Sequence, residues 1–206
     1  MKLRTGWPLL LTLCLVALPS AAQTLYDNGP INGTNDAWTI NFGFTVSDTF
    51  LLSNASTVNG LSFGVWQNPL LTLQDADVQI TSSEFGGTIY FDQLVTFTES
   101  GCVNNQYGFA VCTANSTNFT PLNLAAGTYW LNLSNAETQV GQDDPVYWDE
   151  NSGPSFASEN TLGTIPSESF TLYGSSSSGT TPEPGSIILV ACGIVGVAGV
   201  RCRKLF

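Results

Sequence analysis

The chain has 206 residues, with 16 Asp or Glu, 5 Lys or Arg and no His, for a formal net charge of −11. Its cations are Lys2, Arg4, Arg201, Arg203 and Lys204, so none lies between Thr5 and Val200. That excludes nucleic-acid binding, which needs Lys or Arg against phosphate, and catalysis or metal binding through imidazole or a body lysine; a hydrophobic content of 43% argues against long disorder.

In chain order, residues 1–22 read as a secretory signal peptide. Lys2 and Arg4 form the charged start, and Leu9 to Leu18 the apolar stretch. Pro19 breaks it, and Ser20-Ala21-Ala22 supplies small residues for a cut before Gln23. The partner this implies is the secretion machinery, and the alternative is a buried N-terminal helix.

Residues 23–174 are expected to form one domain. No segment sustains a helical period. Short runs of β-branched and aromatic residues recur instead, divided by Gly, Asn, Ser and Pro. Phe42, Phe44 and Val46 alternate with polar or small neighbours, followed by Phe50 and Leu52. Leu61, Phe63 and Val65 alternate before Trp66, and Val78 and Ile80 share a face. Gly86-Gly87 suits a hairpin turn that needs positive φ, with Thr88–Phe91 returning and Leu94–Thr98 continuing. Tyr107–Thr113, Phe119–Leu124, Gly127–Ser134 and Phe170–Tyr173 follow. About nine or ten such strands predict an all-β fold, an antiparallel β-sandwich of jelly-roll-like type.

Cys102 and Cys112 flank Asn104–Gly108, a turn-like segment, so the pair can staple a hairpin; two buried free thiols are the alternative. The densest acidic stretch is Asp143-Asp144-Pro-Val-Tyr147-Trp148-Asp149-Glu150. Its four carboxyl groups are candidate ligands for Ca²⁺, which favours oxygen donors, although no EF-hand spacing is present. Tyr147 and Trp148 are candidate platforms for stacking a sugar, as are Trp66 and Trp130. The alternative is an acidic surface loop with its aromatics in the core. Two of the carboxyls could also serve a glycan-cleaving enzyme. No catalytic residue is assigned, because any chain with this many carboxyls offers such pairs, and no cofactor beyond Ca²⁺ is called for.

Residues 175–181 are a Ser/Gly/Thr linker. Then come Pro182-Glu183-Pro184, an apolar run from Gly185 to Val200, and Arg201-Cys-Arg203-Lys204 as a basic stop. As a helix the run reaches roughly 24 Å, against about 30 Å for a bilayer core. The basic tail stays on the cytoplasmic side by the positive-inside tendency.

This C-terminal arrangement, paired with a signal peptide, resembles the PEP-CTERM sorting signal of exopolysaccharide-producing Gram-negative bacteria. The resemblance covers residues 182–206. It implies a single transmembrane sorting helix, transient anchoring in the inner membrane, and recognition near Pro182–Pro184 by an exosortase-type membrane protease. The tail departs from the usual Arg cluster at Cys202. More loosely, Trp38-Thr-Ile40, Val46–Phe50, Leu124–Leu131 and Pro145–Trp148 resemble the all-β extracellular domains that precede this signal. The expectation is an exported cell-surface or extracellular protein, structural or adhesive, with exopolysaccharide as a possible partner. The rivals are a glycan-active enzyme and a Ca²⁺-dependent carbohydrate-binding module.

Overall fold

The computed structural model describes residues 23–177, and every regular element in them is a strand. Among these residues no helix is long and apolar enough to cross a membrane. The signal peptide, the Pro182–Pro184 motif, the sorting helix and the basic stop lie outside the described residues.

The described residues hold fourteen strands, not nine or ten: β1 Gln23–Asp27, β2 Ala37–Thr39, β3 Thr45–Leu52, β4 Ser56–Gln67, β5 Leu73–Ser83, β6 Gly86–Asn104, β7 Ala110–Ser116, β8 Leu122–Leu124, β9 Gly127–Thr138, β10 Tyr147–Asn151, β11 Ala157–Glu159, β12 Gly163–Ile165, β13 Ser167–Glu168 and β14 Phe170–Ser176. They form a curled antiparallel sheet in the order β1-β14-β4-β7-β6-β5-β9-β3-β11-β12. Off that path, β10 joins β2, β4 and β13, and β8 joins β4. The 19-residue β6 holds the two halves of the sheet together: residues 86–96 pair with β5, and residues 97–104 with β7.

Curling brings the apolar faces together. Phe50 of β3 meets Phe170 of β14 edge-on at 6.4 Å, and Tyr26 of β1 lies 6.0 Å from Phe50. Trp148 of β10 packs between Phe63 and Phe170, at 6.0 and 5.7 Å. The central strands show why alternation is an incomplete guide. In β4 the inward residues switch from Ser56 and Val58 to Leu61, Phe63 and Val65. A register shift opposite Tyr173 and Gly174 leaves Asn59 as the extra residue of a bulge, and a bulge reverses which face the odd positions occupy.

Three local expectations need correction. Phe42 and Phe44 precede β3; Phe42 is half-exposed, at φ 57°, in a turn closed by Phe44 N–H donating to the Asn41 carbonyl at 3.0 Å. The buried Asn41 side chain holds that turn, with Nδ2 donating to the Asp144 carbonyl at 2.8 Å. Turn chemistry wins there over an alternating pattern. The β5–β6 hairpin turns at Glu84-Phe85, one step before the glycines. Gly86 already pairs with Ser83, and Gly87 supplies the left-handed conformation (φ +80°) at the register shifts that follow. At the other end, β14 runs on through Ser175 and Ser176, which pair with Thr57 and Ser56. The strand therefore takes the first two residues that composition alone gives to the linker.

Candidate functional site

β10 carries four of the expected site residues. Strand geometry sends alternate side chains to opposite faces, so Trp148 and Glu150 face one way, and Tyr147 and Asp149 the other. Asp149 and Glu150 therefore cannot grip one ion between them. Asp149 is 0% exposed. Its Oδ2 accepts the Asn32 backbone N–H and its Oδ1 the Gly33 N–H, both at 2.7 Å. The Trp66 indole N–H adds a third bond to Oδ1 at 2.6 Å. Burial pushes this carboxyl up, and the donors partly offset the push. Asp149 thus pins the segment before β2 onto β4 and is closed to any substrate.

The other acidic residues of the stretch lie elsewhere. Asp143 is exposed in the loop before β10. Asp144 is half-buried, its Oδ2 accepting from Asn68 Nδ2 at 3.2 Å. Glu150 is half-buried and receives the Trp38 indole N–H at 3.1 Å. Among the described residues, the only three acidic or thiol side chains that converge closely are Glu99, Cys102 and Cys112. Asp143, Asp144, Asp149 and Glu150 are not brought together as a Ca²⁺ cage.

The expected platforms also divide. Trp148 is 0% exposed and donates its indole N–H to the Ser169 carbonyl at 2.8 Å, so it is core and not a sugar platform. Trp66 is buried as well, stacked on Tyr107 at 6.0 Å. Tyr147 is half-buried, edge-on to Phe109 at 5.4 Å. Trp130 stays half-buried on the outward face of β9. An open cleft of about 240 Å³ runs across the outer face of β4 and β14, lined among others by Asp27, Ser62, Thr113, Thr171 and Tyr173. Ser62 Oγ and Tyr173 Oη lie 3.1 Å apart there.

Cys102 and Cys112 are joined by a disulfide. It spans the β6–β7 hairpin, whose turn is organised by Asn105 Oδ1, which accepts the N–H groups of Tyr107 and Phe109 at 3.0 Å each.

The pattern of the sequence also hid a buried polar cluster at the edge of the core. Asp48, on β3, and Glu168, on β13, are each 0% exposed. Asn28 stands between the strands. Its Nδ2 lies 3.0 Å from Asp48 Oδ2, 2.7 Å from the Glu168 carbonyl oxygen, and 2.7 and 2.9 Å from the hydroxyls of Ser155 and Ser167. Asp48 also accepts the N–H groups of Thr49 at 2.6 Å and Glu168 at 2.8 Å. With no cation in the domain, an amide and two backbone N–H groups do the work of a lysine. Burial still pushes the Asp48 carboxyl up to about 6. Glu168 is raised well above the usual carboxylate range, by burial first and then by Asp48 and Glu150. Parity was the available signal. Asp48 shares a face with Val46 and Phe50, both core residues, so alternation alone turns it inward. Comparison with models of known protein families finds no match, and neither does comparison with curated proteins.

Proposed function

We propose that the chain is an exported, non-enzymatic surface or matrix protein. In this reading a jelly-roll-like sandwich is delivered by a signal peptide and a PEP-CTERM-type tail that an exosortase-type protease recognises. The observation that carries it is the Cys102–Cys112 disulfide. Such bonds persist in oxidising compartments outside the cytosol. A further feature supports it. The only Lys and Arg residues are those expected to set membrane topology at each end. An adhesive, glycan-associated role is supported by the hydroxyl-lined cleft beside Tyr173, with Asp27 at its rim. A cation-free, acidic domain repels anionic polymers, so the glycan class it suits is neutral.

Intact-mass measurement of the protein recovered from outside the inner membrane tests the sorting reading. The expected chain starts at Gln23, stops near Pro182–Pro184 and shows no free thiol from Cys102 or Cys112. Recovery with residues 185–206 still attached would rule out exosortase processing. A neutral-glycan array with the Tyr173→Ala variant as control tests the adhesive part, which fails if neither protein retains any glycan.

A further inference from the structure

Nearly every buried or half-buried carboxylate described above meets neutral donors. Asp149 has three, Asp48 has three, and Glu99 has Leu73 N–H at 2.8 Å and Gln67 Nε2 at 2.6 Å. Glu159, likewise buried, accepts the N–H groups of Thr161 and Leu162. Among the buried carboxylates Asp48, Asp149, Glu159 and Glu168, Glu168 is the exception. Its side chain is fully buried, and neither Oε1 nor Oε2 has a hydrogen-bond partner. The β10–β13 register sets Glu150 directly opposite Glu168. Residues so opposed share a face with Cβ atoms about 4.5–5.5 Å apart, and two like charges there repel. Asp48 adds a third negative group, touching the Glu168 backbone. A buried charge needs a counter-charge, a proton or a metal, and residues 23–177 hold no Lys, Arg or His.

From this opposition of an unpartnered buried carboxylate and a half-buried one, we propose that Glu168 and Glu150 bind a single hard divalent cation of the Ca²⁺ class. Ca²⁺ accepts six to eight oxygen ligands in flexible geometry, so carbonyl and water oxygens complete the shell around two carboxylates. Asp48, already committed to three donors, contributes charge and not a ligand. Glu150 provides the way in, because it is half-buried and gives one oxygen to Trp38. The site differs from an Asp143–Glu150 loop cage: it uses the opposite face of β10 from Asp149, and it needs β13.

The test uses the full chain, freed of metal with EDTA and titrated at pH 7 with Tb³⁺, a luminescent substitute for Ca²⁺. Trp38 sits at Glu150 and can sensitise the emission. The expected result is saturable emission at one equivalent that Ca²⁺ displaces, with a rise in melting temperature on adding Ca²⁺. Glu168→Gln is nearly isosteric and removes only the charge. It should weaken Tb³⁺ by at least about tenfold, the loss seen even when a group that merely supports a ligand is changed. Glu150→Gln, at a half-buried position, should do the same and keeps the test open if the first variant is unstable. Asp143→Asn with Asp144→Asn should leave binding unchanged. Absence of saturable emission from the wild-type chain overturns the proposal and leaves Glu168 as a buried neutral acid. Wild-type affinity in both Gln variants, or loss of binding only in the Asp143/Asp144 variant, overturns it too.

Discussion

Asp149 shows what a single residue does when no cation is at hand. Its three N–H bonds come from a loop, a glycine and an indole. Hydrogen bonds to a charged group contribute about 1.5–3 kcal/mol each, and a buried donor left unmatched adds its own desolvation cost. Asp149→Asn replaces one acceptor oxygen with an NH₂ that faces donors, so it should lower unfolding free energy in urea by about 3 kcal/mol. Glu150→Gln, half-buried with one bond, should cost under about 1 kcal/mol in metal-free buffer. Equal stability of the two variants would refute this assignment. The same residue marks how far the site was legible. Counting carboxylates picks out Asp143–Glu150 correctly as the densest acidic stretch, but clustering in sequence is not clustering in space once β10 alternates. The converse holds for Asp48 and Glu168. They are 120 residues apart, and only folding puts the Glu168 N–H on the Asp48 carboxylate at 2.8 Å.

Among the elements, β6 and its hairpin with β7 carry the widest consequence. The strand stitches one half of the sheet to the other, and the disulfide closes it onto β7 beside the bulge between Ser100 and Val103. Most of this was readable: strand-like runs on either side, a turn at Asn104–Gly108, and two cysteines flanking it. The length of β6 was not. The sequence pattern takes Thr88–Phe91, with Leu94–Thr98 continuing it past Asp92 and Gln93, and it stops short of Asn104, where the strand ends. Asp92 fits there because it faces solvent, whereas Gln93 shares the face of Phe91 and Val95 and is satisfied by the chain before β8, its Nε2 donating to the Asn118 carbonyl at 2.7 Å and its Oε1 accepting the Thr120 N–H at 3.0 Å. The short strands β2 and β11–β13 also lay below the reach of periodicity, since two or three residues define no period. In the chain-entropy account, a loop of this size gains about 3 kcal/mol from its cross-link. Reduction, or Cys102→Ser with Cys112→Ser, should therefore lower unfolding free energy by about that amount while keeping the strand signature in circular dichroism. Iodoacetamide should label neither cysteine before reduction. Labelling of both in the unreduced folded protein would contradict the bond.

At the scale of the whole molecule, the balance of charge governs how stability answers to pH. Residues 23–177 hold fifteen of the 16 acidic groups, all but Glu183, and no basic side chain. Every carboxyl shift resolved among them is upward: Asp48, Asp75, Glu99, Asp149 and Glu168, with burial the leading cause in each. A carboxyl whose folded value lies above its unfolded value holds its proton more tightly when folded. Its stabilisation is complete below the unfolded value, near 4, and is lost as pH climbs through the folded value. For Asp48 that window closes at about 6. The rise from 3.8 to about 6 is roughly 3 kcal/mol. This is the reverse of a domain held by salt bridges, whose paired carboxylates lose stability on acidification. In metal-free buffer the melting temperature should therefore rise as pH falls from 7 to 5. Salt should act in the same sense, because self-repulsion of the ionised groups is what it screens. The two effects share one cause, so they should not add freely: NaCl should raise the melting temperature most at pH 8 and little at pH 5, where part of the charge is already gone. A stability maximum at neutral pH, or a salt effect as large at pH 5 as at pH 8, would show that some other interaction has replaced the missing cations.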